Sequence, residues 1–272
     1  MSNRNNQANK QAARERLRAE RERQAKKDRL RRQLIVGGAI VGVLAIAGGI
    51  GVAVATMGGD DAKAATGPLV KPANTSGPKG TTIVVGKADA KNTLELFEDP
   101  RCTYCAAFEQ TVGATVEKDI KDGKYKASYH LGTFLDNNLQ GTGSKNALSA
   151  LGASLNVSPD AFLKYKYALY SKEFHPNERG PDKFADDNYL IKVANTVPAL
   201  KGNAAFQKAV KDGTYDRWAL EVSNAFNSVK DVKNTPTIKL NGTVLGPDSL
   251  QGKDAPFSVA AFNSAVEKDL KK

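Results

Sequence analysis

The feature that most constrains this chain is a run of 24 uncharged residues, LIVGGAIVGVLAIAGGIGVAVATM, at positions 34–57. A helix of that length spans the hydrocarbon core of a bilayer. Lipid offers backbone groups no water to bind, so a run this long and apolar predicts a membrane helix rather than a buried soluble one. The sequence therefore divides into a tail over 1–33, a single transmembrane anchor over 34–57, and a longer part after the anchor.

The tail is strongly basic. Its first 32 residues hold twelve Lys and Arg against four Asp and Glu, which is about +8 of the net charge of +11 on the 272-residue chain. Lysine and arginine beside a membrane helix stay on the cytoplasmic side. The tail has no aromatic residue to stack on a base, which argues against nucleic acid as a partner. We therefore expect a single-pass protein of the cell membrane with a cytoplasmic N-terminus and an extracytoplasmic C-terminal domain.

A cleavable signal peptide is the alternative interpretation of this segment, because Ala53-Val54-Ala55 resembles a small-residue cleavage site. The apolar cores of signal peptides are about 7 to 15 residues long, so the longer run favours an uncleaved anchor. Both alternatives export the rest of the chain.

The composition of 58–80, rich in Gly, Ala, Pro, Thr and Lys, predicts a flexible linker. The pattern after it predicts strands over 81–86, 93–99, 125–134, 235–240 and 243–246, with Asn241-Gly242 as a hairpin turn between the last two. Helical spacing predicts a helix over 102–121, a helical insertion over about 135–230 and a closing helix over 256–270. The order of these elements predicts one α/β domain over 81–272, a central mixed sheet flanked by helices.

The chain has two cysteines, Cys102 and Cys105, and both belong to the exported part. They follow a predicted strand at the point where a helix begins. Unpaired N–H groups and the helix dipole stabilise an anion there, so the Cys102 thiolate is favoured and acts as the nucleophile. Cys105, three residues further on, is the resolving thiol that attacks a mixed disulfide. The pattern indicates a thiol–disulfide couple that needs no cofactor.

A zinc site and a structural disulfide are the two other roles that a pair of cysteines at this spacing could have. A zinc site needs four ligands, and the only further soft ligands are His130 and His175, at spacings that suggest no site, so no metal is predicted. A purely structural disulfide across four residues would constrain the unfolded chain very little and so would stabilise the fold very little.

Three segments carry a resemblance to a known family: FEDPRCTYCAAFE at 97–109, LDNNLQGTGSKNAL at 135–148, and Thr235-Pro236-Thr237. Together they resemble the thioredoxin superfamily, and within it the membrane-anchored DsbA-like oxidoreductases of actinobacteria. The resemblance covers about 81–272 and implies a thioredoxin-like fold. It also implies that Pro236 is cis and faces the cysteine pair, with the backbone of Thr235 pairing with an extended substrate segment.

The chain departs from the family pattern at two places. Leu96 stands six residues before Cys102, where many relatives place a buried acid that moves the proton of the resolving cysteine. Glu95 and Glu98 lie nearby, and Glu98 is our candidate for that proton relay. Thr103 and Tyr104 also replace the commoner residues between the cysteines, and residues at these positions tune the reduction potential.

The function expected from the residues and the resemblance is a protein disulfide oxidoreductase that oxidises cysteine pairs in exported proteins. Its partners would be exported proteins with free thiols or disulfides, and a membrane redox partner that recharges the pair. A reductase or isomerase of the same fold is one alternative. A non-catalytic binding or scaffold protein with a thioredoxin fold is another.

Overall fold

The computed structural model of the chain describes residues 66–246 and 255–270. The basic tail, the predicted anchor over 34–57 and the first part of the predicted linker lie outside these residues. Within the described part, no helix is both long enough and apolar enough to cross a membrane.

A five-stranded sheet forms the centre of the domain, in the spatial order β1, β3, β2, β4, β5. The strands are β1 (Ile83–Val85), β2 (Thr93–Glu98), β3 (Lys126–Leu131), β4 (Thr237–Leu240) and β5 (Thr243–Val244). β2 runs parallel to β3, and the other three pairs are antiparallel. The predicted mixed sheet is therefore confirmed, and its central strand is β2, which leads into the cysteine pair.

The helix that follows β2 is built in three parts. α1 (Thr103–Phe108) continues into a π-helical turn (Glu109–Gly113) and then into α2 (Ala114–Asp122). Its buried apolar side chains recur at helical spacing: Phe108, Val112, Val116 and Ile120. Gly123 ends the helix in the left-handed conformation, at φ 79°. The sequence predicted one helix here, and the structure adds the π-helical turn in its middle.

The insertion between β3 and β4 is helical, as predicted. Its elements are α3 (Phe134–Leu139), α4 (Gly143–Val157), α5 (Pro159–Leu169), a 3₁₀ turn (Lys183–Ala185), α6 (Asp187–Ala194), α7 (Ala204–Lys211) and α8 (Asp216–Asn227). α4 is its central helix and packs against α5, α7 and α8. A side chain at Gly152 of α4 would place its Cβ 2.7 Å from the Trp218 ring of α8, so glycine permits this close approach.

The predicted strand boundaries differ from the observed ones by up to two residues, except at the end of β3, where the difference is larger. The strand expected over 125–134 ends at Leu131, and Phe134 begins the six-residue helix α3 instead. Alternation holds as far as Leu131, with Ala127, Tyr129 and Leu131 buried on one face. A helix of six residues is too short to show helical periodicity, so the aromatic residue at 134 was assigned to the strand before it.

The C-terminal hairpin has the predicted turn. Asn241 and Gly242 both have positive φ, at 53° and 85°, which a tight two-residue hairpin turn requires. α9 (Val259–Asp269) then packs Phe262 and Val266 into the core.

The predicted linker needs a correction, because residues 72–80, here called the strap, are packed on the insertion. Asn74 Nδ2 donates to the backbone oxygen of Leu155 at 2.7 Å. Trp218 Nε1 donates to the backbone oxygen of Gly80 at 2.6 Å, and Gly80 is buried. The folded domain therefore begins before position 81. Composition alone predicted flexibility because it does not reveal bonds to distant helices.

Candidate active site

Cys102 caps the first turn of α1. The chain leaves β2 at Glu98, and the backbone N–H of Cys102 donates to the carbonyl of Asp99 at 2.9 Å. Cys102 itself has an extended backbone, and its sulfur accepts from the N–H of Cys105 at 3.4 Å. Both thiols are free, and their residues are 5% and 0% exposed. The structure thus places Cys102 at the helix N-terminus and Cys105 one turn inside, as the sequence predicted.

Thr235 lies directly against the Cys102 sulfur, although 133 positions separate the two residues. The Thr235 hydroxyl donates to Cys102 Sγ at 3.4 Å, and the sulfur lies 3.6 Å from the Thr235 carbonyl oxygen. The peptide bond between Thr235 and Pro236 is cis, which is the conformation implied by the family resemblance. Thr235, which the sequence predicted to lie at the site, therefore contacts Cys102, the predicted nucleophile.

The two thiols have opposite electrostatic environments. A hydrogen bond from the Cys105 thiol lowers the pKa of Cys102; burial opposes this effect, and the Thr235 hydroxyl and the Cys105 N–H reinforce it. Burial raises the pKa of Cys105 well above its usual value, and the neighbouring Cys102 and Glu98 charges raise it further. The Cys102 thiol therefore ionises more readily than the Cys105 thiol, and a thiolate is the form of cysteine that attacks a disulfide.

Glu98 is close enough to Cys105 for its charge to act on that thiol. It belongs to a group of three buried charged residues, here called the buried triad: Glu98, Lys166 and Glu109. Lys166 Nζ lies 3.0 Å from Glu98 Oε2 and 2.7 Å from Glu109 Oε2. Burial raises the pKa of Glu98 to about 7, Lys166 opposes this, and the Glu109 charge adds to it. A carboxyl with a pKa near neutrality can both give and take a proton, which is what a relay to Cys105 requires.

Sequence reasoning missed Lys166 and Glu109. Lys166 occupies the apolar face of α5, four residues after Phe162 and three before Leu169, both of which are buried. A lysine on that face is a signal for a buried ion pair, since an unpaired buried charge is very costly. The partner 57 positions earlier could not be identified from spacing.

Asp99 is a second buried carboxyl that the sequence showed only as the end of a strand. Its oxygens accept from the Ser144 hydroxyl at 2.6 Å, the Arg101 N–H at 2.9 Å and the Leu135 N–H at 3.1 Å. Burial raises its pKa to about 7 against these hydrogen bonds. The hydroxyl of Tyr170 donates to its backbone oxygen at 3.1 Å. Asp99 thus ties the turn before Cys102 to three helices of the insertion.

Arg101, one position before Cys102, also joins this turn to the insertion, through ion pairs. Its guanidinium is buried and lies 3.0 Å from Asp136 Oδ1 and 3.3 Å from Asp182 Oδ2. Both carboxylates also accept backbone N–H groups at the start of α4, Asp136 at Ser144 and Asp182 at Gly143. The nucleophile is therefore held by ion pairs as well as by the sheet.

A groove of about 350 Å³ opens beside the Cys102 sulfur. Its apolar walls are formed by Tyr104, Phe134, Leu135, Phe226 and Val232. Glu178 and Lys233 add one charge of each sign, and Thr235 lies beside the sulfur. This shape and lining suit an extended peptide with an apolar residue near its cysteine.

The two histidines lie outside this arrangement. His130 stacks on Phe97, with ring centroids 4.3 Å apart, and burial lowers its pKa. Burial lowers the pKa of His175 to about 4. Within residues 66–246 and 255–270, no group of three or more His, Cys, Asp or Glu side chains has the geometry of a metal site.

Comparison with known proteins matches the whole folded domain to one family. A family model described as thioredoxin matches residues 78–268. The chain is similar to the solved structure of the reduced disulfide bond oxidoreductase DsbG from Mycobacterium tuberculosis, with a TM-score of 0.56 and 25% identity. That alignment covers 72% of this chain and 91% of the other.

Two curated relatives extend the comparison. Disulfide bond formation protein D of Bacillus subtilis is 24% identical over 163 residues, which are 60% of this chain and 68% of that protein. The serine/threonine-protein kinase PknE of Mycobacterium tuberculosis is 29% identical over 122 residues, which are 43% of this chain. This chain spans only about a fifth of the kinase, 21% of its length, so the similarity concerns one segment of it.

Proposed function

The chain belongs to the thioredoxin family, and on that basis we propose that it is an extracytoplasmic thiol–disulfide oxidoreductase that oxidises cysteine pairs in exported proteins. One observation carries the proposal: the Cys102 sulfur caps a helix, lies beside Thr235 and opens on a peptide-sized groove. A structural disulfide would require none of these three features.

The reaction starts from the enzyme with a Cys102–Cys105 disulfide. A client thiolate attacks Cys102, the Cys102–Cys105 bond breaks, and Cys105 leaves as a thiolate that takes up a proton. A second client thiolate then attacks the client sulfur of the mixed disulfide and releases the Cys102 thiolate. The client loses two electrons and two protons, and the enzyme gains two electrons.

Thr235 and Pro236 position the client during this exchange. The Thr235 carbonyl lies 3.6 Å from the Cys102 sulfur, so a client strand pairing with that backbone brings its own sulfur to the point of attack. The Thr235 hydroxyl donates to the Cys102 sulfur and stabilises it when it leaves as a thiolate.

Glu98 supplies or removes the proton of Cys105. When Cys105 leaves, a protonated Glu98 delivers a proton towards it; when the enzyme is reoxidised, ionised Glu98 takes that proton back. The pKa of about 7 that burial gives Glu98 makes both forms available near neutral pH. The Lys166 ammonium stabilises the ionised form.

The location and the recharging partner are part of the proposal. The uncharged run at 34–57 after a basic tail supports an anchor that holds the domain outside the cytoplasm. One pair of cysteines carries one pair of electrons, so turnover requires an acceptor. A membrane redox partner is the acceptor we propose.

A reductase or isomerase running the same couple in the other direction is the second candidate. The similarity to a structure named disulfide bond oxidoreductase, DsbG, is compatible with either direction, because that name states no direction of electron flow. The reduction potential separates the two candidates. A value of about −120 mV suits an oxidant, and a value of about −270 mV would contradict our choice.

The main test traps the mixed disulfide. Cys105→Ala cannot form the Cys102–Cys105 disulfide, but its Cys102 thiolate can attack the disulfide of an oxidised client, which breaks the client bond, forms the mixed disulfide and leaves the second client sulfur as a thiolate. No Cys105 thiol is present to resolve this mixed disulfide, so disulfide-linked exported proteins should accumulate on Cys102. The Cys102→Ala/Cys105→Ala double variant is the matched control and should trap nothing. If the single variant also traps nothing, or if Cys102→Ala leaves the cellular phenotype unchanged, a non-catalytic scaffold replaces the proposed enzyme.

A further inference from the structure

A carboxylate of the insertion reaches the same helix end as the nucleophile. Glu178 Oε2 accepts a hydrogen bond from the backbone N–H of Thr103 at 3.2 Å. Thr103 directly follows Cys102 and is the first residue of α1. Glu178 comes from the loop between α5 and the 3₁₀ turn, and its side chain lines the groove that holds the Cys102 sulfur.

Two anionic groups therefore share one positive pole. The unpaired N–H groups at the start of a helix, together with the helix dipole, carry about half a positive charge. The Cys102 sulfur uses the N–H of Cys105, at 3.4 Å, and Glu178 uses the N–H of Thr103. A carboxylate at this position raises the free energy of a thiolate beside it.

The repulsion between Glu178 and the Cys102 thiolate affects the free energy of the reduced enzyme and not that of the disulfide form. Reduction breaks the Cys102–Cys105 bond, adds two electrons and leaves Cys102 as a thiolate and Cys105 as a thiol. A disulfide carries no charge, so the carboxylate of Glu178 destabilises only the reduced enzyme. An enzyme whose reduced form is less stable is a weaker oxidant.

We propose that Glu178 restrains the oxidising strength of the Cys102–Cys105 couple by competing with the Cys102 thiolate for the positive end of this helix. This inference rests on the proposed function. Other charged groups also act on the two sulfurs: Lys233 lines the same groove with the opposite charge, the buried Asp99 charge raises the pKa of Cys102, and the buried Glu98 charge raises the pKa of Cys105.

Glu178→Gln in the full chain tests the charge alone, because the amide oxygen can still accept the Thr103 N–H. The equilibrium constant for oxidation of glutathione by the enzyme should rise roughly two- to fivefold, the size of a surface charge effect at a helix terminus. A threefold rise corresponds to about 14 mV, since a tenfold change in a two-electron couple is about 30 mV. The ultraviolet absorbance of the Cys102 thiolate should also appear at lower pH than in the wild type.

The matched control is Glu173→Gln, which removes the same charge from an exposed position of the same loop and should change neither readout. Glu178→Ala removes the hydrogen bond as well. If Glu178→Ala shifts the equilibrium and Glu178→Gln does not, Glu178 only fastens the loop and the inference is wrong. An unchanged equilibrium in both variants of an active enzyme also overturns it. A wild-type protein that forms no Cys102–Cys105 disulfide with glutathione would instead overturn the proposed function, and this inference with it.

Discussion

At the scale of single residues, a buried group with one cation and two carboxylates lies close enough to the cysteines for the Glu98 charge to raise the pKa of Cys105. Lys166 pairs with both Glu109 and Glu98, and all three side chains are almost fully removed from water. One ammonium cannot compensate two buried carboxylates, so one of them holds its proton near neutral pH. Glu98 is that residue, because burial raises its pKa to about 7. A buried acid is therefore present two positions after Leu96 on the same strand, which supports the proposed relay.

We expect this proton to affect the pH dependence of stability. The pKa of Glu98 is raised in the folded protein from its usual 4.5 to about 7, so its contribution to stability is full below pH 4.5 and is lost as the pH rises through 7. In Glu98→Gln, the free energy of unfolding of the dithiol protein should therefore fall less between pH 5 and pH 7.5, by on the order of 2 to 3 kcal/mol. Urea unfolding across that range measures it.

Glu117→Gln is the control for this experiment. Burial raises the pKa of Glu117, but hydrogen bonds from Lys121 and Lys164 outweigh it and hold the value below its usual range. Its contribution is therefore lost only as the pH falls, and the slope between pH 5 and pH 7.5 should match the wild type. An equal slope in Glu98→Gln and wild type would show that Glu98 does not titrate in this range.

The sequence predicted the residues that carry a motif and missed those that act through distant pairing. Cys102, Cys105 and Pro236 stand in patterns that have a chemical meaning of their own. Arg101 and Asp99 stand in no such pattern, and their roles are visible only from their contacts with α3 and α4 in the folded domain. Such ion pairs and hydrogen bonds join positions tens of residues apart, and no local periodicity reports them.

At the scale of elements, the π-helical turn after α1 carries one member of the buried triad, Glu109. Gly113 ends that turn, and a Cβ on it would lie 2.8 Å from Glu109 Cδ. The Glu109 side chain therefore folds back over Gly113 on its way to Lys166. The helical pattern predicted the elements on either side, but a π turn keeps the same buried face and leaves no separate signal in the sequence.

This close approach makes an unusual prediction for Gly113→Ala. Alanine in a helix interior normally stabilises it by up to about 1 kcal/mol relative to glycine. Here the new methyl group must displace the Glu109 carboxylate from Lys166, so the variant should instead be less stable, by roughly 1 to 3 kcal/mol. Chemical denaturation of the single variant measures the change.

A double-mutant cycle with Glu109→Ala supplies the control. Without the Glu109 carboxylate the methyl group has free space, so Gly113→Ala should stabilise the Glu109→Ala protein. If alanine is stabilising in both backgrounds, the Glu109 side chain yields at no cost, and the explanation of Gly113 is wrong.

At the scale of the whole domain, α4 joins the redox centre to the strap. Ser144 near its start donates to Asp99 beside the cysteines, and the backbone of Leu155 near its end accepts from Asn74 of the strap. Eleven helical residues separate the two positions, which is about 17 Å. The strap and the cysteine pair therefore lie at opposite ends of one buried helix. Segment composition predicted a linker here because the strap has no periodicity, and its hydrogen bonds to Leu155 and Trp218 join positions far apart in the sequence.

This separation predicts that stability and chemistry can be changed independently at the strap. Asn74→Ala removes the hydrogen bond to the Leu155 carbonyl and should lower the free energy of unfolding by about 1 kcal/mol. The alkylation rate of the Cys102 thiolate should not change, because the turn that holds Cys102 is bonded to the far end of α4. Lys91→Ala, at an exposed side chain between β1 and β2 and outside the strap, should leave both quantities as in the wild type. A slower or faster alkylation of Cys102 in Asn74→Ala would instead mean that α4 transmits changes from the strap to the cysteines, and that the two ends of the insertion act as one unit.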